Sequence, residues 1–157
     1  EGIKGREFVL DPRIWNSEDA SVANVPSAGG RFSAKGIALF YQELGNGHIL
    51  TSETLEEATK ISVVENGLQE LQGQTSITSV APESQTNAAT KFGLGYQLIT
   101  IDGATSGTAF GHAGVGGSIG FHHKESNTSV GIMFNKVGTN KQPAREIIQV
   151  LSKHLSW

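Results

Sequence analysis

The chain has 157 residues, enough for one domain or a large piece of one, with 37% hydrophobic and 17% charged residues. That balance fits a globular chain rather than a disordered one, and a net charge of -3 offers no basic field for nucleic acid or an anionic membrane. With no cysteine, disulfides, thiolate metal sites and a cysteine nucleophile are excluded, and no apolar run approaches the ~20 residues of a membrane span.

Residues 1–30 hold two prolines and four glycines and read as irregular backbone, with turn or extended chain at Asp11-Pro12 and Val25-Pro26-Ser27. Ser33 is placed to cap a helix whose apolar stripe is Ile37, Phe40, Tyr41 and Leu44, and Gly45-Asn46-Gly47 ends it. A second, shorter helix is predicted over 51–60. Thr51 is its cap, and Glu53 sits at the positive end of its dipole. Residues 61–91, rich in Ser, Thr, Gln and Asn, read as a long surface loop with a short strand at 61–64.

From Phe92 the pattern turns to strands. Gly95–Ile101, Thr108–His112, Ser118–His123 and Ser129–Asn135 are β-rich, with turn signals at Asp102-Gly103 and Glu125-Ser126-Asn127. Strands this close, with no helix between them, are expected to be antiparallel. Pro143 opens a terminal helix with the stripe Ile147, Ile148, Leu151 and Leu155. The predicted fold class is α+β: an antiparallel sheet of about four to five strands with the C-terminal helix packed on one face.

The chemistry concentrates in Phe110-Gly-His-Ala-Gly-Val-Gly-Gly-Ser-Ile-Gly-Phe121, which holds five of the 20 glycines and His112. Glycine-rich strand admits a ligand or another backbone at close range, or it marks a tight hairpin. Phosphate-binding patterns fail here: the lysine of the P-loop is missing, and Ile119 stands at the third glycine of the dinucleotide motif. Gly116-Gly-Ser118-Ile-Gly120 fits the nucleophile-elbow pattern, but Phe121-His122-His123 follows as strand where that motif needs a helix. His122 and His123 with Glu125 make a poor metal set, because neighbouring strand residues point to opposite faces; a surface pair at a hairpin end is expected instead. His48 and His154 read as solvated, as do Glu53, Glu56 and Glu57 on their helix, and Asn127-Thr128-Ser129 matches a glycosylation acceptor. No metal and no cofactor is called for.

The order of blocks resembles the C-terminal part of the serine β-lactamase and penicillin-binding-protein superfamily, in its class C-like branch of esterases and β-lactamase-related proteins. Asp11-Pro12 through Pro26-Ser-Ala-Gly-Gly-Arg-Phe-Ser-Ala-Lys-Gly-Ile-Ala-Leu-Phe-Tyr41 is similar to "PSxxGxxSAxxLAxxY" and Ile49–Leu55 to "LLSPETL". Phe92–Tyr96 is similar to "FGLGW/F", 110–121 to "FGHxGxGGSxGF", and Gly131–Asn135 to "GxxYVMN". In that family Lys-Thr-Gly, or His-x-Gly in esterase-like members, borders the cleft, and His112-Ala113-Gly114 falls on it. The resemblance implies that His112 faces the substrate and assists proton transfer or anchors an acyl or carboxylate group. It implies that the Val115 N–H is one of two oxyanion donors, with Gly114 beside it in the motif. Ala113, Gly116 and Gly117 would line the wall along which a small ester or amide substrate lies.

The family's Ser-x-x-Lys and Tyr-x-Asn are absent from the sequence. The expectation is therefore a partial domain over 1–157, the C-terminal portion of a serine hydrolase working through an acyl-enzyme and inactive alone. The alternative is a non-catalytic binding or interaction module. Neither a nucleic-acid nor a membrane partner is expected, the compartment defaults to the cytoplasm, and self-association or pairing with the missing N-terminal half is anticipated.

Overall fold

The computed structural model describes residues 16–23, 25, 29–65, 90–101, 109–114, 116–136, 142–155 and 157. The chain divides into two compact units, Glu1–Phe32 and Ser33–Trp157. In the first, the stretch expected to be irregular contains a short helix, α1 (Glu18–Val22). Ser17 starts it by accepting the Ala20 N–H on its hydroxyl at 3.2 Å, and Glu18 and Asp19 add negative charge at its N-terminal end.

The second unit is a sheet covered on both faces. Helix α2 (Ala34–Gly45) begins where Ser33 Oγ accepts the Gly36 N–H at 3.0 Å. It ends before Gly47, whose positive φ of 77° suits only a residue without a Cβ. Helix α3 (Ser52–Ala58) is capped by Thr51, which accepts the Thr54 N–H at 3.2 Å. Six strands follow among the described residues: β1 (Val63–Glu65), β2 (Thr90–Phe92), β3 (Gln97–Ile99), β4 (Ala109–Ala113), β5 (Ile119–His123) and β6 (Thr128–Ile132). They form one antiparallel meander in the order β1-β2-β3-β4-β5-β6. The strand beyond the expected set is β2, paired with β1 through Val63↔Phe92, so the stretch 61–91 begins and ends in sheet. Its interior 66–89, and the Asp102-Gly103 turn, lie outside the described residues. Helix α4 (Gln142–Leu155) closes the chain. Among the described residues no helix is long and apolar enough to cross a membrane.

Strand alternation sorts the core into two layers. Ile99, Ala109, Ile119, Phe121, Val130 and Ile132 face α4, where Ala144, Ile148 and Trp157 complete a buried cluster. Leu98 and Phe110 face the other way and pack with Tyr41 and Leu44 of α2 and Leu55 of α3. All five residues of β5 are buried because both of its faces are covered. Helix α2 comes this close because β5 and β6 offer it glycines. A Cβ on Gly120 would stand 2.6 Å from Ile37 Cγ1 and 2.7 Å from Tyr41 Cε2, and one on Gly131 would strike the Ala34 carbonyl oxygen.

The stripe expected for α4 is only partly the buried one. Ile148 is buried and Leu151 half-buried, but Ile147 and Leu155 are exposed, and Ala144, Arg145 and Ser152 are buried in their stead. Phe40 on α2 is likewise exposed rather than buried.

Candidate active-site wall on strand β4

His112 and Ala113 end β4, at the point where its pairing with β3 stops. The ladder between the two strands runs Ile99↔Ala109, Leu98↔Phe110 and Gln97↔Gly111 and goes no further. On the other side β4 stays paired to its last residue, through His112↔Gly120 and Ala113↔Ile119. Beyond Gly111, β4 therefore has no β3 partner among the described residues, while its other edge is held to Ala113.

The His112 side chain is exposed, on the same face as Phe110 and Gly120. Its Nδ1 lies 2.9 Å from the Ala113 carbonyl oxygen. A carbonyl only accepts, so Nδ1 is the donor in this contact, and Nε2 is the ring nitrogen left for another partner. The Ala113 N–H donates to Oε1 of Gln97 at 2.9 Å, a contact that motif reasoning had no means to find.

Gly114 donates its N–H to the Ser118 carbonyl at 2.8 Å, and Gly117 donates to the Gly114 carbonyl at 3.3 Å. Gly116 and Gly117 have φ of 97° and 93°, values that a residue with a Cβ adopts only under strain. The glycines of this stretch therefore build a tight turn from β4 into β5. Val115, whose N–H carries the implied oxyanion role, lies outside the described residues.

A model of the Beta-lactamase family matches residues 3–154. The chain belongs to the beta-lactamase family. Among curated proteins no significant match is found.

Within this family member, the remaining candidates take structural places. Ser118 is followed directly by strand, and its Oγ accepts the Phe134 N–H at 3.3 Å, tying the turn to the chain beyond β6. A hydroxyl spent on a backbone amide, with no helix behind it, does not form a nucleophile elbow. Tyr41 is no base either: burial, and secondarily Tyr96, push its phenol up to about 12.

The expected surface pair His122 and His123 is a correction, since both are buried, at 3% and 2% exposure. They do point to opposite faces. His122 packs against Gly45 of α2, tilts on Phe110 at 5.4 Å, and has Nδ1 2.8 Å from Ser129 Oγ. His123 stacks on Trp157 at 4.9 Å and has Nδ1 2.9 Å from Ser126 Oγ. Burial lowers the pKa of each. The charges of His123 and Lys124 add to the effect at His122, while Glu125 opposes it at His123. The signal was available in period two: Ile119 and Phe121 face one layer, so Gly120 and His122 face the other, and a sheet covered twice buries both. His48 is an exposed partner of Glu43 at 2.6 Å, and His154 is exposed on α4. No group of three or more His, Cys, Asp or Glu side chains is placed to hold a metal among the described residues.

Proposed function

We propose that the chain is the C-terminal portion of a serine hydrolase that cleaves small esters or amides through an acyl-enzyme, with the nucleophile supplied from outside this sequence. The observation that carries the reading is the edge of β4. A family match over 3–154 coincides with an exposed His112 at the end of β4, beyond the last residue that β3 pairs. In this reading an acyl group lies along that edge. His112 relays a proton or anchors the acyl substituent, and the Val115 N–H stabilises the developing oxyanion, a donor worth ~3 kcal/mol in comparable sites. Ala113, Gly114, Gly116 and Gly117 keep the wall low enough for the substrate to approach.

A second reading, a non-catalytic binding module of the same fold, is favoured by one observation. The sequence contains neither Ser-x-x-Lys nor Tyr-x-Asn. The two readings part on a direct test. The chain alone is expected to leave a chromogenic short-chain ester and a β-lactam intact. Joined to the segment upstream of it in its gene, it should hydrolyse one of them, and His112→Ala should slow that by roughly 10²–10⁴-fold. An upstream segment without Ser-x-x-Lys, or a joined protein that is inert, overturns the hydrolase in favour of the binding module.

A further inference from the structure

Helix α4 has two apolar surfaces, and the fold uses one. Ala144, Ile148 and the half-buried Leu151 close on the sheet. At 100° per residue, Pro143, Ile147, Val150 and His154 fall within about 60° of one another on a different face. All four are exposed, Ile147 by 41% and Val150 by 55%. Glu146 and Lys153, both exposed, run along a single flank of this stripe, about 20° apart around the helix. One oxygen of Glu146 accepts from Gln142 Nε2 at 3.1 Å, which leaves the other for a partner.

This pattern is complementary to itself. The midpoint of the apolar stripe falls between Ile148 and Gln149, and that of the charged pair falls between Gln149 and Val150. The two midpoints lie one residue apart, about 1.5 Å along the helix, so one two-fold axis nearly serves both. A two-fold that sets two copies of α4 antiparallel keeps each flank on its own side. Ile147 of one copy then meets Val150 of the other, Pro143 meets His154, and Glu146 meets Lys153, each contact occurring twice. A parallel two-fold would carry the two charged flanks to opposite sides, where Glu146 and Lys153 find no partner in the other copy. We infer that the exposed face of α4 is a self-association surface for a second copy of this chain, packed antiparallel through Ile147 and Val150 and registered by paired Glu146–Lys153 contacts. The inference does not depend on the hydrolase reading. One helix face buries less than the ~1,200 Å² of a stable interface, so the dimer is weak and in rapid exchange.

Sedimentation equilibrium of the whole chain at low salt, up to roughly millimolar concentration, tests it. The wild type should show a monomer–dimer equilibrium. Glu146→Lys and Lys153→Glu should each weaken it about tenfold, and the two together should restore it to within about twofold. The double variant sets Lys in the N-terminal half and Glu in the C-terminal turn, against the helix dipole, so it should be the least stable to heat. Its recovered association could not then come from better folding. A monomer at every concentration, a dimer indifferent to the single reversals, or a double variant no better than the singles overturns the inference.

Discussion

Replacing Gly120 by alanine should loosen α2 from the sheet, and the size of the effect follows from the packing. The new methyl would stand 2.6 Å from Ile37 Cγ1 and 2.7 and 3.1 Å from Tyr41 Cε2 and Cδ2, where carbon atoms settle at about 3.5–4.0 Å. Roughly an ångström must be found, and none of these atoms is the end of a flexible chain. Tyr41 is only 6% exposed, and its ring is wedged edge-on against Phe40 and Phe110 with centroids 5.4 and 6.2 Å away. Overpacking of this kind costs about 1–3 kcal/mol, and the reduced freedom of the unfolded chain returns about 0.5–1 kcal/mol. The net expectation is a loss of about 1–2 kcal/mol, or some 3–10 °C in Tm for a unit of this size.

Circular dichroism melts of four proteins decide the matter: wild type, Gly120→Ala, Tyr41→Leu and the double variant. Leucine removes the ring edge, so Gly120→Ala should cost about 1 kcal/mol less in that background than in the wild type. Gly114→Ala is the control, since its Cβ would meet only the Ser118 carbonyl oxygen at 3.6 Å, and it should shift stability by no more than about 0.5 kcal/mol. A Gly120→Ala variant as stable as wild type, or one equally damaged in the Tyr41→Leu background, would refute the account of α2 resting on bare backbone.

Two further outcomes follow from the site. The folded-state pKa of His122 and of His123 lies below the ordinary 6.5, so below that pH the unfolded chain binds more protons than the folded one. Their contribution is complete above 6.5 and lost as the pH falls. The urea midpoint should drop between about pH 7.5 and 5.5, above the carboxylate range, and drop less in His122→Asn; a flat wild-type profile contradicts this. Ser118→Ala should cost about 1 kcal/mol by stranding the Phe134 N–H, while any ester hydrolysis by the joined enzyme should survive it. Abolished turnover with an unchanged melt would instead make Ser118 a nucleophile.

What could be read in the residues was whatever local chemistry decides. Ser33 and Thr51 start their helices as expected, because a hydroxyl before an apolar stripe has an amide to accept. Strands β3 to β5 fall within two residues of their expected bounds, and β6 ends three residues before its expected end. Helix α1 was missed because its five residues carry no stripe, only a cap and two acids. Strand β2 was missed because Thr90-Lys91-Phe92 alternates over too short a span to stand out; its pairing with β1 lies across 24 intervening residues. On α4, Ile147 and Ile148 read alike in sequence, and only the position of the sheet decides which one it buries.

The glycine stretch shows how site and scaffold depend on one another. A strand end that its neighbour strand leaves unpaired must be held by side chains and from the side that remains. Here β4 is paired with β5 up to Ala113, Gly114 is bonded to Ser118, and Ser118 holds the Phe134 amide. Strand β5 is itself clamped between α4 on one face and α2 on the other. The bareness of Gly120 and Gly131 is what admits α2. The same scarcity of side chains that leaves bare backbone beside His112 thus lets α2 brace the strands on the face that His112 shares, so this wall is positioned by contacts the chain makes with itself.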